Sequence, residues 1–232
     1  MKDVIYLNLK TTDGIKLFLR PSRFLKVKQE LIDFLRNEKY LYTKAFVKTT
    51  MFSHELKANN QIEGYGDDVE IIEKVIAHAE DINDKDKRQR ILNLYHGYNY
   101  ILKTKEINQD TLKKLYSILS EGLLNSTDSV RMGKYYRTAP VYILKRGRLD
   151  VEPDQGVLAH EIDAYMNDYF AFLNQDISGD LTDEYIKSQI LHYYFVYIHP
   201  YFDENEPLGQ QKTYLQKYLQ NKGFTDFGKS FF

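Results

Sequence analysis

The chain of 232 residues contains no cysteine and no tryptophan. The lack of cysteine excludes disulfide bonds, thiolate metal sites and a cysteine nucleophile. No apolar run approaches the roughly 20 residues that a membrane-spanning helix needs. The N-terminus also lacks the order of charged, apolar and small residues that marks a signal peptide. The sequence therefore predicts a cytoplasmic protein without a membrane partner.

Neither sign of charge is in excess, because 32 Lys and Arg residues stand against 33 Asp and Glu residues, for a net charge of -1. A cationic surface over the whole chain is missing, so we expect no DNA or RNA partner. The 20 Tyr and 13 Phe residues are interpreted as packing residues of the core. His54, His78, His96, His160 and His192 lack the spacing of metal-binding helix motifs.

Two short segments at the N-terminus place apolar residues at every second position, on either side of the turn signal Asp13-Gly14. They predict a β-hairpin built on Ile5, Leu7, Leu9, Ile15, Leu17 and Leu19. After Pro21-Ser22, apolar residues recur at helical spacing, which predicts a long helix ending near Asn37. We interpret residues 1–40 as an appendage of this hairpin and helix.

From residue 41 to 232 nearly every segment repeats the helical period, which predicts a mainly α domain. Asp67-Asp68 and Asn108-Gln109-Asp110 are predicted to cap two helix starts or to complement their dipoles. The charge run from Asp81 to Arg90 predicts an exposed helix start. Residues 139–151, β-rich and centred on Gly147, interrupt the helices and predict a hairpin.

The segment after the last strongly apolar helix carries candidate chemistry. Pro200 cannot continue that helix, so the chain leaves it at His199 and enters a loop with Asp203, Glu204 and Asn205. A histidine at a helix exit beside carboxylates is a candidate general base. The alternative for this feature alone is a solvated surface histidine.

Three stretches resemble the Fic (filamentation induced by cAMP) family, in the order expected of it. Residues 191–205 resemble its helix and active loop, with the motif His-x-Phe-x-Asp/Glu-Gly-Asn-Gly/Lys-Arg-x-x-Arg. Residues 133–143, continuing to Glu152-Pro153, resemble its flap hairpin with the leading Gly-x-Tyr/Phe-Arg. Near residues 50–64, the stretch from Asn59 to Gly64 is similar to its inhibitory-helix motif Ser/Thr-x-x-x-Glu-Gly/Asn. The resemblance implies a Fic-type helical bundle with an inserted β-hairpin flap and a short N-terminal β-hairpin.

The resemblance implies transfer of AMP from ATP, with Mg²⁺, to a hydroxyl side chain of a target protein. The active loop spans residues 199–210: His199 aligns with the general base, Asp203 with the Mg²⁺ ligand, Asn205 with the phosphate contact, and Tyr201 with the loop's buried anchor. Glu63 and Gly64 align with the regulatory motif, and Val141, Tyr142 and Ile143 with the flap strand that holds the target. The expected partner is a protein held by the flap, and a homodimer is left open.

The motif departs from the family after Asp203. Glu204, Glu206, Pro207 and Gln210 stand where the family has Gly, Gly or Lys, Arg and a second Arg. Loss of two charge-assisted hydrogen bonds costs roughly 3–6 kcal/mol, or about a hundred- to ten-thousand-fold in rate. Inhibition by a Glu63 salt bridge to the second Arg is also not available. We therefore expect a weak or inactive enzyme.

Two alternatives stay open. One is a non-catalytic binding module that keeps the flap and groove without turnover. The other is a decayed, frame-shifted gene product: residues 206–210 can be encoded by codons that, read one base earlier after a C, give Arg-Thr-Ser-Arg-Thr. Against a frame shift, residues 208–223 are interpreted as a genuine divergent helix with a buried face of Tyr214, Leu215, Tyr218 and Leu219.

Overall fold

The protein is described by a computed structural model, which covers residues 4–20, 29–30, 33, 52–62, 65–124, 126–143, 154–175 and 181–202. The strands are β1 Ile5–Lys10, β2 Lys16–Leu19, β3 Tyr142–Ile143 and β4 Asp154–Gln155. The α-helices are α1 Phe52–Ile62, α2 Val69–Ala77, α3 Lys85–Lys103, α4 Gln109–Leu119, α5 Ser126–Val130, α6 Ile162–Asn174 and α7 Leu181–Ile198. Two 3-10 turns, Ala79–Asp81 and Ala159–Glu161, complete the description. The mainly α prediction is confirmed.

The N-terminal hairpin is confirmed and packs onto the helices. β1 and β2 pair antiparallel, and Gly14 adopts the positive φ of 76° that the turn requires. Leu7 and Leu9 are buried, whereas Ile5 and Ile15 on the same predicted face remain exposed. The hairpin's apolar side thus joins the helical core. The predicted helix that follows it lies almost entirely outside the described residues.

The main core lies between α4, α6, α7 and the hairpin. α7 buries side chains on several of its sides, because the hairpin and α6 both pack against it. Two tyrosine hydroxyls of α7 bind the hairpin: Tyr194 donates to the carbonyl oxygen of Lys10 at 3.1 Å, and Tyr197 accepts from the amide of Thr12 at 2.7 Å. These contacts fix the end of α7 relative to the rest of the fold.

A second core joins α1, α2 and α3, and a third joins α3 to α4. The second is built from Leu56, Ile72, Val75, Ile91 and Tyr98. At the α3–α4 contact, a Cβ on Gly97 would lie 2.8 Å from Cδ2 of Leu119, so a larger residue here would have to displace that side chain.

The predicted helix starts have two different outcomes. Asn108 caps α4 as predicted, since its side chain accepts from the Thr111 amide at 3.0 Å in a capping box. Asp68 occupies the N-cap position of α2 but its side chain makes no capping bond. Asp67 points inward and is buried. In the charge run, Asp84 caps α3, but Arg90 is buried rather than exposed.

The inserted hairpin is described only at its base. Tyr142 and Ile143 pair antiparallel with Gln155 and Asp154, so the second strand lies beyond residue 151, the predicted end of the flap. Residues 144–153 lie outside the described chain. Among the helices of the described ranges, none combines the length and apolar character needed to cross a membrane.

Candidate active site

His199 lies at the point where α7 ends. Its amide still donates to the carbonyl oxygen of Phe195 at 2.9 Å, as the last helical bond. Its own φ is 51°, in the left-handed region. Among the described residues it is the only non-glycine with a positive φ. Strain of this kind is concentrated at functional sites, which favours a functional role for His199.

The His199 imidazole is mostly buried, and its pKa is lowered from 6.5 to about 4. Burial is the larger cause, since it disfavours the charged form, and the positive charge of Arg137 is the smaller one. The imidazole is therefore neutral at physiological pH. A neutral imidazole is the form that accepts a proton.

Arg137 holds His199 from the side of the flap. Its side chain is only 2% exposed. Nε donates to the carbonyl oxygen of His199 at 2.7 Å, Nη1 to that of Ala139 at 2.7 Å, and Nη2 to that of Val157 at 2.5 Å. Its backbone amide donates to the carbonyl oxygen of Pro200 at 2.9 Å. One side chain thus binds the residues before and after the flap and the end of α7.

Gly156 lets these segments meet. Its amide donates to the carbonyl oxygen of Val141 at 3.2 Å. A Cβ at this position would lie 2.9 Å from Cγ2 of Val141, 3.1 Å from Nη2 of Arg137 and 3.3 Å from Cβ of His199. The base of the flap therefore lies directly against His199, which brings two of the predicted site features together.

Tyr201 is buried, as predicted for the anchor of the active loop, and is 3% exposed. Its ring stacks on Tyr116 of α4, with centroids 4.3 Å apart and planes at 12°. Tyr136 and Phe195 contact it at tilted angles. Its hydroxyl has no hydrogen-bond partner among the described residues. Burial raises the pKa of this hydroxyl well above its ordinary value, so it stays protonated.

Other predicted site residues fall outside the described part of the chain. These are Asp203 and Asn205 of the loop and Glu63 and Gly64 of the regulatory motif. Tyr142 and Ile143 are described by their backbone pairing only. No group of three His, Asp or Glu residues close enough to bind a metal occurs within the described ranges, which do not include Asp203.

The end of α1, where the predicted regulatory motif begins, is held by buried polar side chains. Asn59 donates to the hydroxyl of Tyr98, which donates to Glu55 at 3.3 Å. Asn60 donates to Oδ2 of Asp67 at 3.2 Å. Asn59 therefore anchors α1 to α3.

Asp67 in turn forms a buried ion pair with α3. Its Oδ2 lies 2.6 Å from Nη2 of Arg90, and its Oδ1 lies 3.0 Å from Nζ of Lys87. The guanidinium of Arg90 stacks on the ring of Tyr65, with Cζ 3.4 Å from the ring centroid. This network holds Tyr65 and Asp67, which lie between α1 and α2, against α3.

Sequence reasoning missed Arg137 and Gly156 as site residues. Arg137 belongs to the flap-leading segment that resembled the family, yet no role was assigned to it. A single arginine inside the aromatic and apolar stretch Tyr135-Tyr136-Arg137 was a usable signal, because an arginine buried there needs a dedicated set of acceptors. Gly156 gave no signal beyond its residue type.

Comparison with known proteins adds a family and a fold. Residues 106–209 match the sequence model of the Fic/DOC family. No curated protein sequence matches the chain.

Two solved structures share the fold. A Fic family protein from Desulfovibrio desulfuricans G20 has a TM-score of 0.54 at 22% identity, over 88% of this chain and 55% of that one. Fic-1 from C. elegans has a TM-score of 0.59 at 17% identity, over 88% of this chain and 59% of that one. This chain thus spans little more than half the length of either structure. Residues 106–209 are thus similar to the Fic/DOC family, and the chain shares the fold of two Fic proteins.

Proposed function

We propose that the protein transfers AMP from ATP to a hydroxyl side chain of a target protein, and that its turnover is weak. The observation that carries the proposal is His199, a neutral imidazole at a strained helix end, packed against the base of the flap. A base in this position faces whatever the flap presents. The similarity of residues 106–209 to the Fic/DOC family supports the choice of nucleotide transfer as the reaction.

In the proposed step the target's hydroxyl oxygen forms a bond to the α-phosphorus of ATP. The bond from that phosphorus to the pyrophosphate oxygen breaks, and the hydroxyl proton passes to the imidazole of His199. Asp203 would hold Mg²⁺, which neutralises phosphate charge when bound. Asn205 would contact the phosphates. The proposal includes a cytoplasmic location and a protein substrate held by Val141, Tyr142 and Ile143. It leaves open whether the protein forms a homodimer.

The weak turnover follows from the loop's charges. Glu206 and Gln210 stand at or beside the positions of the phosphate-binding arginines, and Pro207 replaces the first of them. Arg137 does not substitute for them, because its three donor nitrogens are bound to carbonyl oxygens. The described residues of the site therefore support the roles of base and flap better than they support binding of a triphosphate.

A restored variant tests the proposal. It combines Glu204→Gly, Glu206→Gly, Pro207→Arg and Gln210→Arg, and is incubated with a lysate and ATP labelled at the α-phosphorus. Two recovered charge-assisted bonds should raise labelling of protein about a hundred- to ten-thousand-fold over the native chain. ATP labelled at the γ-phosphorus should label nothing, which distinguishes AMP transfer from phosphoryl transfer.

The matched control adds His199→Ala to the restored variant and should abolish labelling. Labelling that survives this change would contradict the role of His199. A folded restored variant that labels no protein would overturn the transfer proposal.

A non-catalytic binding module is the second candidate, favoured by the loss of both arginines from residues 204–210. Its test uses the protein that the restored variant labels. If the native chain and its His199→Ala variant bind that protein equally and neither labels it, the native chain acts as a module. If the native chain labels it, the module interpretation is wrong.

A further inference from the structure

Arg137 is a buried cation whose described partners are all carbonyl oxygens. Buried charges are normally paired with an opposite charge, because the desolvation penalty is otherwise large. The described bonds of Arg137 instead go to the backbones of Ala139, Val157 and His199, at 2.7, 2.5 and 2.7 Å. A planar fork with five N–H donors suits this task, since it can bind several acceptors in fixed directions.

The carbonyl of His199 is one of the acceptors that a helix end leaves without an internal donor. Nη2 of Arg137 also lies 3.5 Å from the carbonyl oxygen of Ile198, the last residue of α7. A positive charge at a helix C-terminus is favourable because it opposes the negative end of the dipole. Arg137 therefore caps the C-terminus of α7 from a distant segment of the chain.

The same guanidinium restricts the backbone of His199. At a φ of 51° the His199 peptide presents its carbonyl oxygen to Nε of Arg137. A return to helical dihedrals would turn this oxygen away and break the bond. Gly156 packs closely on the other side, because a Cβ at this position would lie only 3.3 Å from Cβ of His199.

We propose that Arg137 is a positioning residue that ties the His199 peptide to both ends of the flap, so that base and flap have one rigid support. The inference rests on the proposed function, because it assigns the support to the AMP transfer that His199 would catalyse.

The charges around His199 support this role. Arg137 is the charged group that lowers the His199 pKa, after the larger effect of burial. From the other packed segments, Gly156 and Val157 carry no charge, and burial keeps Tyr136 and Tyr201 protonated. Asp203 and Glu204 follow in the loop, outside the described residues. Arg137 thus supplies both support and a positive charge.

The test is NMR on the full chain, with no requirement for activity. In the native protein, Nε–H of Arg137 should exchange with water far more slowly than that of Arg131, whose side chain is exposed. His199 ring signals, assigned with His199→Asn, should titrate well below the ordinary pKa of histidine. Exchange of the Arg137 Nε–H as fast as that of Arg131 would overturn the proposal, whether or not any variant folds.

Two substitutions separate charge from positioning. Arg137→Gln removes the charge and should raise the His199 pKa toward its ordinary value. Arg137→Lys keeps the charge but cannot span three acceptors, so it should keep the His199 pKa lowered while speeding exchange of the Gly156 amide. Lys134→Gln, which removes an exposed cation three residues away, is the control for both measurements.

A folded Arg137→Gln variant with native His199 titration and native Gly156 exchange would contradict the proposal. In the restored variant, Arg137→Lys should lower kcat more than it raises the KM for ATP, because it disturbs the base rather than nucleotide binding. If the restored variant labels no protein but the NMR results hold, the proposed function fails and the positioning role of Arg137 stands.

Discussion

Nε of Arg137 donates to the carbonyl oxygen of His199 at 2.7 Å, although 61 residues separate the two in the chain. The contact joins the segment before the flap to the end of α7. It also places a positive charge beside an imidazole that is already disfavoured as a cation by burial. The stability of the protein should therefore depend on pH through His199.

The first prediction concerns that dependence. The folded-state pKa of His199 is about 4, below the 6.5 of the free side chain. Between these values the unfolded chain binds more protons, so the free energy of unfolding should be highest above pH 6.5 and fall as the pH drops toward 4. The fall should be at most about 3.5 kcal/mol, from about 1.4 kcal/mol per pKa unit.

Urea denaturation at several pH values between 7 and 4 measures this fall. His199→Asn removes the titrating group and should flatten the curve over that window. His160→Asn removes an exposed histidine and measures how much such a residue contributes to the pH dependence of the free energy of unfolding. If the native and His199→Asn curves run parallel, burial of a neutral His199 is wrong.

The second prediction concerns the hydroxyl of Tyr201, which lacks a partner among the described residues. Tyr201→Phe should raise the free energy of unfolding by about 1 kcal/mol, because an unsatisfied buried polar group is removed. Tyr194→Phe is the matched control, since the Tyr194 hydroxyl donates to Lys10 at 3.1 Å. It should lower stability by about 1 kcal/mol. A loss of stability in Tyr201→Phe would show that the hydroxyl has a partner.

The third prediction concerns the close approach at Gly156. Gly156→Ala places a Cβ 2.9 Å from Val141 and 3.3 Å from His199, and should destabilise the protein by about 1–3 kcal/mol through overpacking. Gly66→Ala is the control, because nothing lies within 4 Å of its added Cβ. Thermal unfolding of the two variants makes the comparison. Equal melting temperatures would mean that the flap base does not pack against His199 as described.

The sequence predicted the elements better than their contacts. Pro200 predicts that α7 ends at His199, because proline cannot continue a helix. The left-handed conformation of His199 was not predictable from local sequence. It depends on a hydrogen bond that Arg137 donates to the His199 carbonyl oxygen from a distant segment. His199 and Tyr201 could be selected from a motif, but the contacts that hold His199 are a tertiary feature.

The adjacent residues Asp67 and Asp68 show the same limit. Both were predicted to serve a helix start, and local sequence does not tell which of two aspartates faces the core. Asp67 turns inward because Arg90, 23 residues later on α3, lies within 2.6 Å of its carboxylate. Asp68 stays at the surface, where it pairs with Lys57 at 3.1 Å.

The last prediction uses this pair of aspartates. Asp67→Asn leaves the buried guanidinium of Arg90 without its carboxylate, and should lower the free energy of unfolding by about 3–5 kcal/mol. Asp68→Asn removes only a surface ion pair and should change it by about 0–1 kcal/mol. Both variants change one carboxylate to an amide at neighbouring positions, so net charge is matched. Urea denaturation at pH 7 gives both values.

Since Asp67 also accepts a hydrogen bond from Asn60 on α1, hydrogen exchange of the α1 amides should become faster in Asp67→Asn alone. Equal effects in the two variants would contradict a buried ion pair between Asp67 and Arg90.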